Sequence, residues 1–233
     1  MNGVLFASDV AVWNIAIQNS SATQASLLVN LAPLWVGIIS YVFLNTKPAT
    51  NFWIGTTVAL FGMAMLVGFK FFLELDFDTA FLLAVLAGVL YSIYLLVSKK
   101  VLSQMDVLSF MTISLLVSTV YLAVFCVALD EPFSGFSNTG WFVLLVQAVV
   151  CQLTAWLSIS YATQHMRTTR VSLSLLGQAV LTSVLAWFFL DEKITLNMII
   201  GGLILLLGIR ITFYTKTLSI KNTVSNIKED IPL

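Results

Sequence analysis

Charge is what this chain has least of. Only 9% of its 233 residues are Asp, Glu, Lys or Arg, whereas roughly 25% is usual in a globular domain. Eleven acidic and eleven basic residues cannot clothe a chain of this length in a water-facing surface. A soluble enzyme, a nucleic-acid binder and a disordered scaffold are excluded on that ground. The formal net charge is zero, so there is no basic footprint for nucleic acid. Histidine is nearly absent as well, and His165 alone cannot build a His-based metal site. The two cysteines, Cys126 and Cys151, sit in apolar runs and are expected as small buried side chains, not as a disulfide framework or a metal clamp. No nucleophile elbow, HExxH, CxxC pair or phosphate loop is present. The expectation is a non-enzyme with no catalytic residue, no metal and no cofactor.

What is present is apolar: 59% of residues are hydrophobic and the mean hydropathy is +0.99. A helix crossing the hydrocarbon layer needs about 20 mostly apolar residues. Eight stretches meet that requirement, at 2–18, 23–44, 52–70, 79–98, 107–129, 140–161, 168–190 and 196–215. Short polar breaks separate them: Asn45 to Pro48, Glu74 to Asp78, Lys99-Lys100, Asp130-Glu131-Pro132 and Asp191-Glu192-Lys193. Backbone groups in lipid must be satisfied internally, and runs this long without alternation are helices, not barrel strands. The chain reads as an all-α integral membrane protein with the lipid bilayer as its first partner. No basic residue precedes Lys47, so the first span is read as part of the mature protein and not as a secretory signal.

The loops supply an orientation. With the N-terminus in the cytoplasm, Lys47, Lys99, Lys100, Arg167, Arg170, Arg210, Lys216, Lys221 and Lys228 fall inside, and only Lys70 and Lys193 outside. That bias predicts cytoplasmic termini at both ends. The polar stretch from Thr217 onward is expected as a solvated tail.

Sliding the chain against itself exposes an internal repeat at an offset of 146, with 13 identities over the 47 positions from 16 to 62. Shared membrane composition would produce Leu and Val coincidences. Here Gln18, Lys47, Asn51, Gly55 and Gly62 also recur, as Gln164, Lys193, Asn197, Gly201 and Gly208. Spans one to three map onto six to eight, so the unit is five spans and the second copy enters the membrane inverted. Inverted repeats flanking a central site are a recurring transporter architecture. Spans four and five have no counterpart in the first copy, which predicts two helices missing ahead of Met1.

The stretches "LAPLWVGIISYVFLNTKPATNFWIGTTVALFGM" and "LLGQAVLTSVLAWFFLDEKITLNMIIGGLILLLGI" each read as helix, Phe-Leu-x-x-Lys turn and glycine-spaced helix. Together with "AVLAGVLYSIYLLVSKKV" they resemble the EamA domain of the drug/metabolite transporter superfamily. The resemblance implies the remnant of a 5+5 inverted-repeat protein of ten helices. It places an incomplete first repeat at 1–70, an external linker at 71–78, a second repeat at 79–215 and a cytoplasmic tail at 216–233. Asn45-Thr46 stands where the family commonly has a Gly-Glu turn, which Glu192 keeps in the second copy. Pro33 is matched by Ala179, so the helix geometry of span seven is expected to differ. The implied function is transport of a small organic metabolite or drug-like solute across a bacterial cytoplasmic membrane, with protons as a candidate partner. The competing reading is a truncated, non-transporting membrane protein or assembly partner. Substrate, coupling ion, direction and oligomeric state are not legible.

Candidate site residues are polar or aromatic groups inside spans. Asp9 is the only acid well within one; an Asp at a helix centre costs about 2.5–3.5 kcal/mol on insertion scales, so it is a cation, amine or proton site or else reaches headgroup water. Trp13 and Ala16 share its face. In span six, Gln147, Cys151, Thr154, Ser158 and Tyr161 form a stripe at helical spacing, and span two repeats the pattern at Ser26, Asn30, Pro33, Gly37 and Ser40. Such stripes serve as packing glue between helices or face a hydrated cavity; Asn30, Gln147 and Gln152 are the larger polar groups among these residues. Tyr91, Tyr94, Trp156 and Tyr161 are candidates for an aromatic wall around an organic substrate, or for interface anchors. Gly55 with Gly62, and Gly201 with Gly208, are expected to let helices approach closely. Lys99-Lys100 and Arg167/Arg170 are read as topology determinants.

Overall fold

The computed structural model describes residues 1–19, 22–44, 47–69, 78–130, 133–190 and 194–214, with the side chains of 22–24 and 190 left aside. Lys70, the 71–77 part of the linker, the Asn45-Thr46 and Asp191-Glu192-Lys193 turns, Glu131-Pro132 and the tail therefore lie outside the described residues. The described residues form eleven α-helices and one π segment. In order these are α1 (Asn2–Asn19), α2 (Ala22–Val29), α3 (Ala32–Phe43), α4 (Thr50–Val67), α5 (Thr79–Leu102) and α6 (Val107–Ala128). Then come α7 (Asn138–Val146), the π segment (Gln147–Thr154), α8 (Ala155–His165), α9 (Thr168–Leu175), α10 (Gln178–Leu190) and α11 (Leu196–Phe213).

Seven helical stretches among the described residues are long and apolar enough to cross a membrane. They match expected spans two to eight. The first expected span is a helix too, but Asp9, Asn14 and Gln18 dilute its apolar character, and it is not among the seven. Several starts are capped as their sequences suggest: Asp78, Asp106 and Ser137 each accept the backbone N–H three residues on, at 2.8, 2.8 and 3.1 Å. The expected break at Lys99-Lys100 is corrected, since α5 continues to Leu102 with both lysines in its last turn. Cations there suit the negative end of the helix dipole.

Spans two and seven are each broken in the middle. The breaks fall at Asn30-Leu31 and Leu176-Gly177, which are related by the repeat offset. Both are bridged by i→i+3 bonds of the tighter 3₁₀ kind, Leu31 N–H to Leu28 O (3.2 Å) and Gly177 N–H to Ser174 O (3.0 Å) among them. Pro33 sits in the first turn of α3, where its missing N–H is harmless. The second copy breaks at the same place with Ala179, so the expected difference in span seven takes another form: Gly177 occupies the break where the first copy has Leu31.

The antiparallel pair α4 and α11 is held by glycine. A Cβ on Gly62 would lie 2.7 Å from the Gly201 carbonyl oxygen, and one on Gly208 would lie 2.6 Å from that of Gly55. Each glycine faces the repeat equivalent of the other glycine on its own helix, which is the close approach the spacing predicted. Leu27, Leu173, Leu176 and Leu205 pack with Phe52 and Met63 beneath this pair. On the other side, α1 lies along α5 and α6. Polar ties fix that packing: Asn2 Nδ2 donates to Ser98 Oγ at 2.9 Å, and Ser118 Oγ to the Gly3 carbonyl at 2.8 Å.

Candidate functional site

Periodicity assembles the site before any long-range contact does. Phe6, Asp9 and Trp13 recur at steps of three and four on α1, and Tyr91 and Tyr94 at a step of three on α5. Where α1, α5 and α8 converge, the rings meet. Phe6 lies 5.3 Å from Tyr94 and 4.7 Å from Trp156, centroid to centroid. Trp156 stands edge-on to both tyrosines, at 6.1 and 5.6 Å, and the two tyrosines stack at 6.4 Å. Val36 of α3 and Leu95 of α5 close the cluster.

Asp9 is 7% exposed and within electrostatic reach of Tyr91 and Tyr94. Among the described residues no cation or hydrogen-bond donor reaches its carboxyl. One turn along α1, the Trp13 indole Nε1 is buried without a partner among those residues. A carboxyl group near a cluster of aromatic rings is a setting that favours an organic cation, because ring quadrupoles and the carboxylate both attract positive charge.

Asn30 is placed differently. Its Oδ1 accepts from Gln178 Nε2 at 3.1 Å, so one side-chain bond joins the two repeat-related breaks. Gln178 was not among the expected site residues; applying the repeat offset to the break at Asn30 would have pointed to its neighbourhood. Phe6 was also missed, since an isolated Phe in an apolar run carries no signal.

The span-six residues divide. Trp156 joins the cluster and Gln152 is half-buried, whereas Gln147 is exposed and Tyr161, 61% exposed, packs on the His165 ring at 4.2 Å. The stripe expected to avoid lipid faces outward along its whole length: Gln147, Cys151, Thr154, Ser158 and Tyr161 are all exposed. No residue of α7 or the π segment is buried among the described residues, apolar ones included, so the stripe shares the exposure of this stretch. The π segment adds a residue to the turn, with Thr154 Oγ1 reaching the Val149 carbonyl at 2.9 Å, and Ser158 Oγ bonds the Thr154 carbonyl at 2.9 Å. Hydroxyls satisfied by their own backbone face outward without penalty. The cysteine expectation is corrected with it, because Cys151 is exposed and Cys126 only half-buried. The span-two stripe does turn inward, with Pro33, Gly37 and Ser40 buried.

An apolar groove of about 720 Å³ runs between α1 and α6, lined by Val4, Val117, Val120 and Val124 among others. It offers little to hold a polar solute. No group of three or more metal-ligating side chains is found among the described residues.

Comparison with known proteins gives a consistent picture. The EamA-like transporter family matches residues 4–68 and 78–214. An uncharacterized transporter of Bacillus subtilis, YdfC, is 24% identical over 203 residues, covering 86% of this chain and 65% of its own length. YoaV of the same organism is 24% identical over 209 residues, covering 88% of this chain and 71% of its own. An uncharacterized transporter of Archaeoglobus fulgidus is 24% identical over 206 residues, covering 85% and 69%. The chain thus spans about two thirds of the length of these relatives. One solved crystal structure shares the fold with a TM-score of 0.75 at 16% identity, over 91% of this chain and 76% of that one.

Proposed function

The chain belongs to the EamA-like transporter family, and from that premise we propose that it moves a small organic solute through a site built around Asp9. The observation that carries this reading is a buried carboxyl group without a counter-charge among the described residues, within electrostatic reach of Tyr91 and Tyr94, whose rings pack with Phe6 and Trp156. The repeat places α1 in the first half and α5 and α8 in the second, so the cluster lies where the two halves meet. Transporters of inverted-repeat design bind their cargo at that interface and expose it alternately by rocking one half against the other. Ala155 stands at the repeat equivalent of Asp9. The acid is therefore not demanded by the repeated fold, and a ligand explains it better than packing does.

In this reading Asp9 holds a proton or the positive end of the solute, and the rings hold its organic part. The charge bias puts the Lys47, Lys99 and Arg167 end in the cytoplasm of a bacterial cell. Proteoliposomes carrying the protein, with a pH-sensitive dye inside, test it against a panel of primary and quaternary amines. Wild type is expected to transport at least one of them, with a lumenal pH change where protons are exchanged. Asp9→Asn is expected to insert at matched abundance, since removing a charge lowers the insertion penalty, and to lose at least about tenfold in rate, the scale of one charged hydrogen bond. Undiminished transport by Asp9→Asn would remove the carboxylate from the mechanism.

A further inference from the structure

We propose a second site, separate from the Asp9 cluster: a phosphoryl-binding vestibule at the basic end of the bundle. A cavity of about 450 Å³ there is lined by Lys47, Lys99, Lys100, Arg167, Thr168 and Thr169, with no Asp or Glu among its lining residues. These side chains come from three places in the sequence, the turn after α3, the end of α5 and the start of α9. A positive-inside bias accounts for cations at this end. It does not require them to converge on one cavity, where like charges repel unless an anion is present.

Three further features are those of an anion site. The cavity receives the N-terminus of α9, whose first turn has no side-chain cap; the Arg170 N–H bonds the Arg167 carbonyl at 2.9 Å, and the Thr168 and Thr169 N–H groups have no intrahelical partner. Thr168 is only 7% exposed, and its hydroxyl has no partner among the described residues, leaving a donor turned to the cavity. Lys99 is held in place by its bond to the Gln164 carbonyl at 2.8 Å, while Gln164 Nε2 bonds the Leu102 carbonyl at 3.0 Å. A neighbouring cavity of about 450 Å³ shares Arg167 and Thr169 and adds Arg170, extending the positive lining. The repeat accounts for Lys47 and Thr169, which recur as Lys193 and Thr23, but not for the rest, because its offset pairs Arg167, Thr168 and Arg170 with Ser21, Ala22 and Gln24.

Four cations and the buried Thr168 favour a multiply charged anion. A planar guanidinium grips two phosphoryl oxygens at once. The phosphoryl group belongs to a soluble phosphate ester or to a lipid headgroup, and two arms separate these sources. In the first, the protein in nanodiscs of phosphatidylcholine alone is titrated with inorganic pyrophosphate by calorimetry. Binding weakened at least about tenfold by Arg167→Gln and by Lys100→Gln, and weakened also by the isosteric Thr168→Val, but unchanged by Arg210→Gln, establishes a soluble-phosphate site. In the second, native mass spectrometry follows phosphatidylglycerol retained by the protein. Retention lost in the same three variants, without pyrophosphate binding, assigns the site to a lipid headgroup. Equal pyrophosphate and lipid binding in wild type and variants, no binding in either arm, or an equal loss in Arg210→Gln would overturn the proposal. Thr168→Val keeps the shape of the side chain, so the test stands even if a charge variant folds poorly.

Discussion

Two aspartates of this chain live in opposite surroundings. Asp9 is buried on α1 within electrostatic reach of Tyr91 and Tyr94, whereas Asp106 is solvent-exposed between α5 and α6 and accepts the Ser109 N–H at 2.8 Å. That backbone hydrogen bond holds the Asp106 carboxyl below its ordinary range. A group whose folded pKa is depressed stabilises the fold above its unfolded value and loses that contribution as pH falls through the folded one. The cap of α6 should accordingly be intact throughout neutral pH and open only under acid conditions below the usual carboxylate range. Hydrogen exchange at the Ser109 amide measures it. The exchange is expected to be faster in Asp106→Ala at neutral pH and close to wild type in Asp106→Asn, which keeps an acceptor. Identical exchange in wild type and Asp106→Ala would show that the bond contributes nothing.

Among the elements, the α4 and α11 pair carries the sharpest expectation, because adjacent glycines on one helix have opposite surroundings. A methyl group on Gly201 would sit 2.8 Å from the Gly62 carbonyl oxygen, whereas one on Gly202 would find its nearest neighbour at 3.6 Å. Gly201→Ala must force the helices apart, at a cost of about 1–3 kcal/mol typical of overpacking, while Gly202→Ala should be nearly neutral. Thermal unfolding of the detergent-solubilised protein distinguishes them; equal midpoints for the two variants would mean the backbones are not in contact. The seven-residue glycine spacing was legible in the sequence because a packing face repeats at helical period. That the two glycine pairs meet each other was not, since spacing along one helix says nothing about which helix lies opposite. The broken spans show the same limit. Pro33 marks one break, but Gly177 marks the other, and only the repeat offset relates them.

At the scale of the whole molecule, one candidate span, α6, separates the loop after α5 from the loop after α6, and the charge bias predicts the first inside and the second outside. Ser103 and Ser134 are exposed in those loops. In a background lacking Cys126 and Cys151, an impermeant thiol reagent added to cells is expected to label Ser134→Cys and spare Ser103→Cys. Labelling of Ser103→Cys alone would reverse the orientation.

Membrane residence, the helical spans and the repeat were legible from the sequence alone. All three are one-dimensional properties: hydrocarbon thickness sets a run length, and an offset is found by sliding a string along itself. The pairing of Tyr91, Tyr94 and Trp156 was expected from their chemistry, but their meeting with Phe6 and Asp9 waited on how α1 crosses α5 and α8. The span-six stripe went the other way: its polar periodicity was plain, but no residue of α7 or the π segment is buried among the described residues, apolar ones included. Likewise the cations of the basic end were counted in the loops, yet only folding drew Lys47, Lys100 and Arg167 around one cavity beside a helix N-terminus. Hydropathy determines that a segment lies in the membrane; which of its faces is covered, and by what, is determined by the helices packed against it.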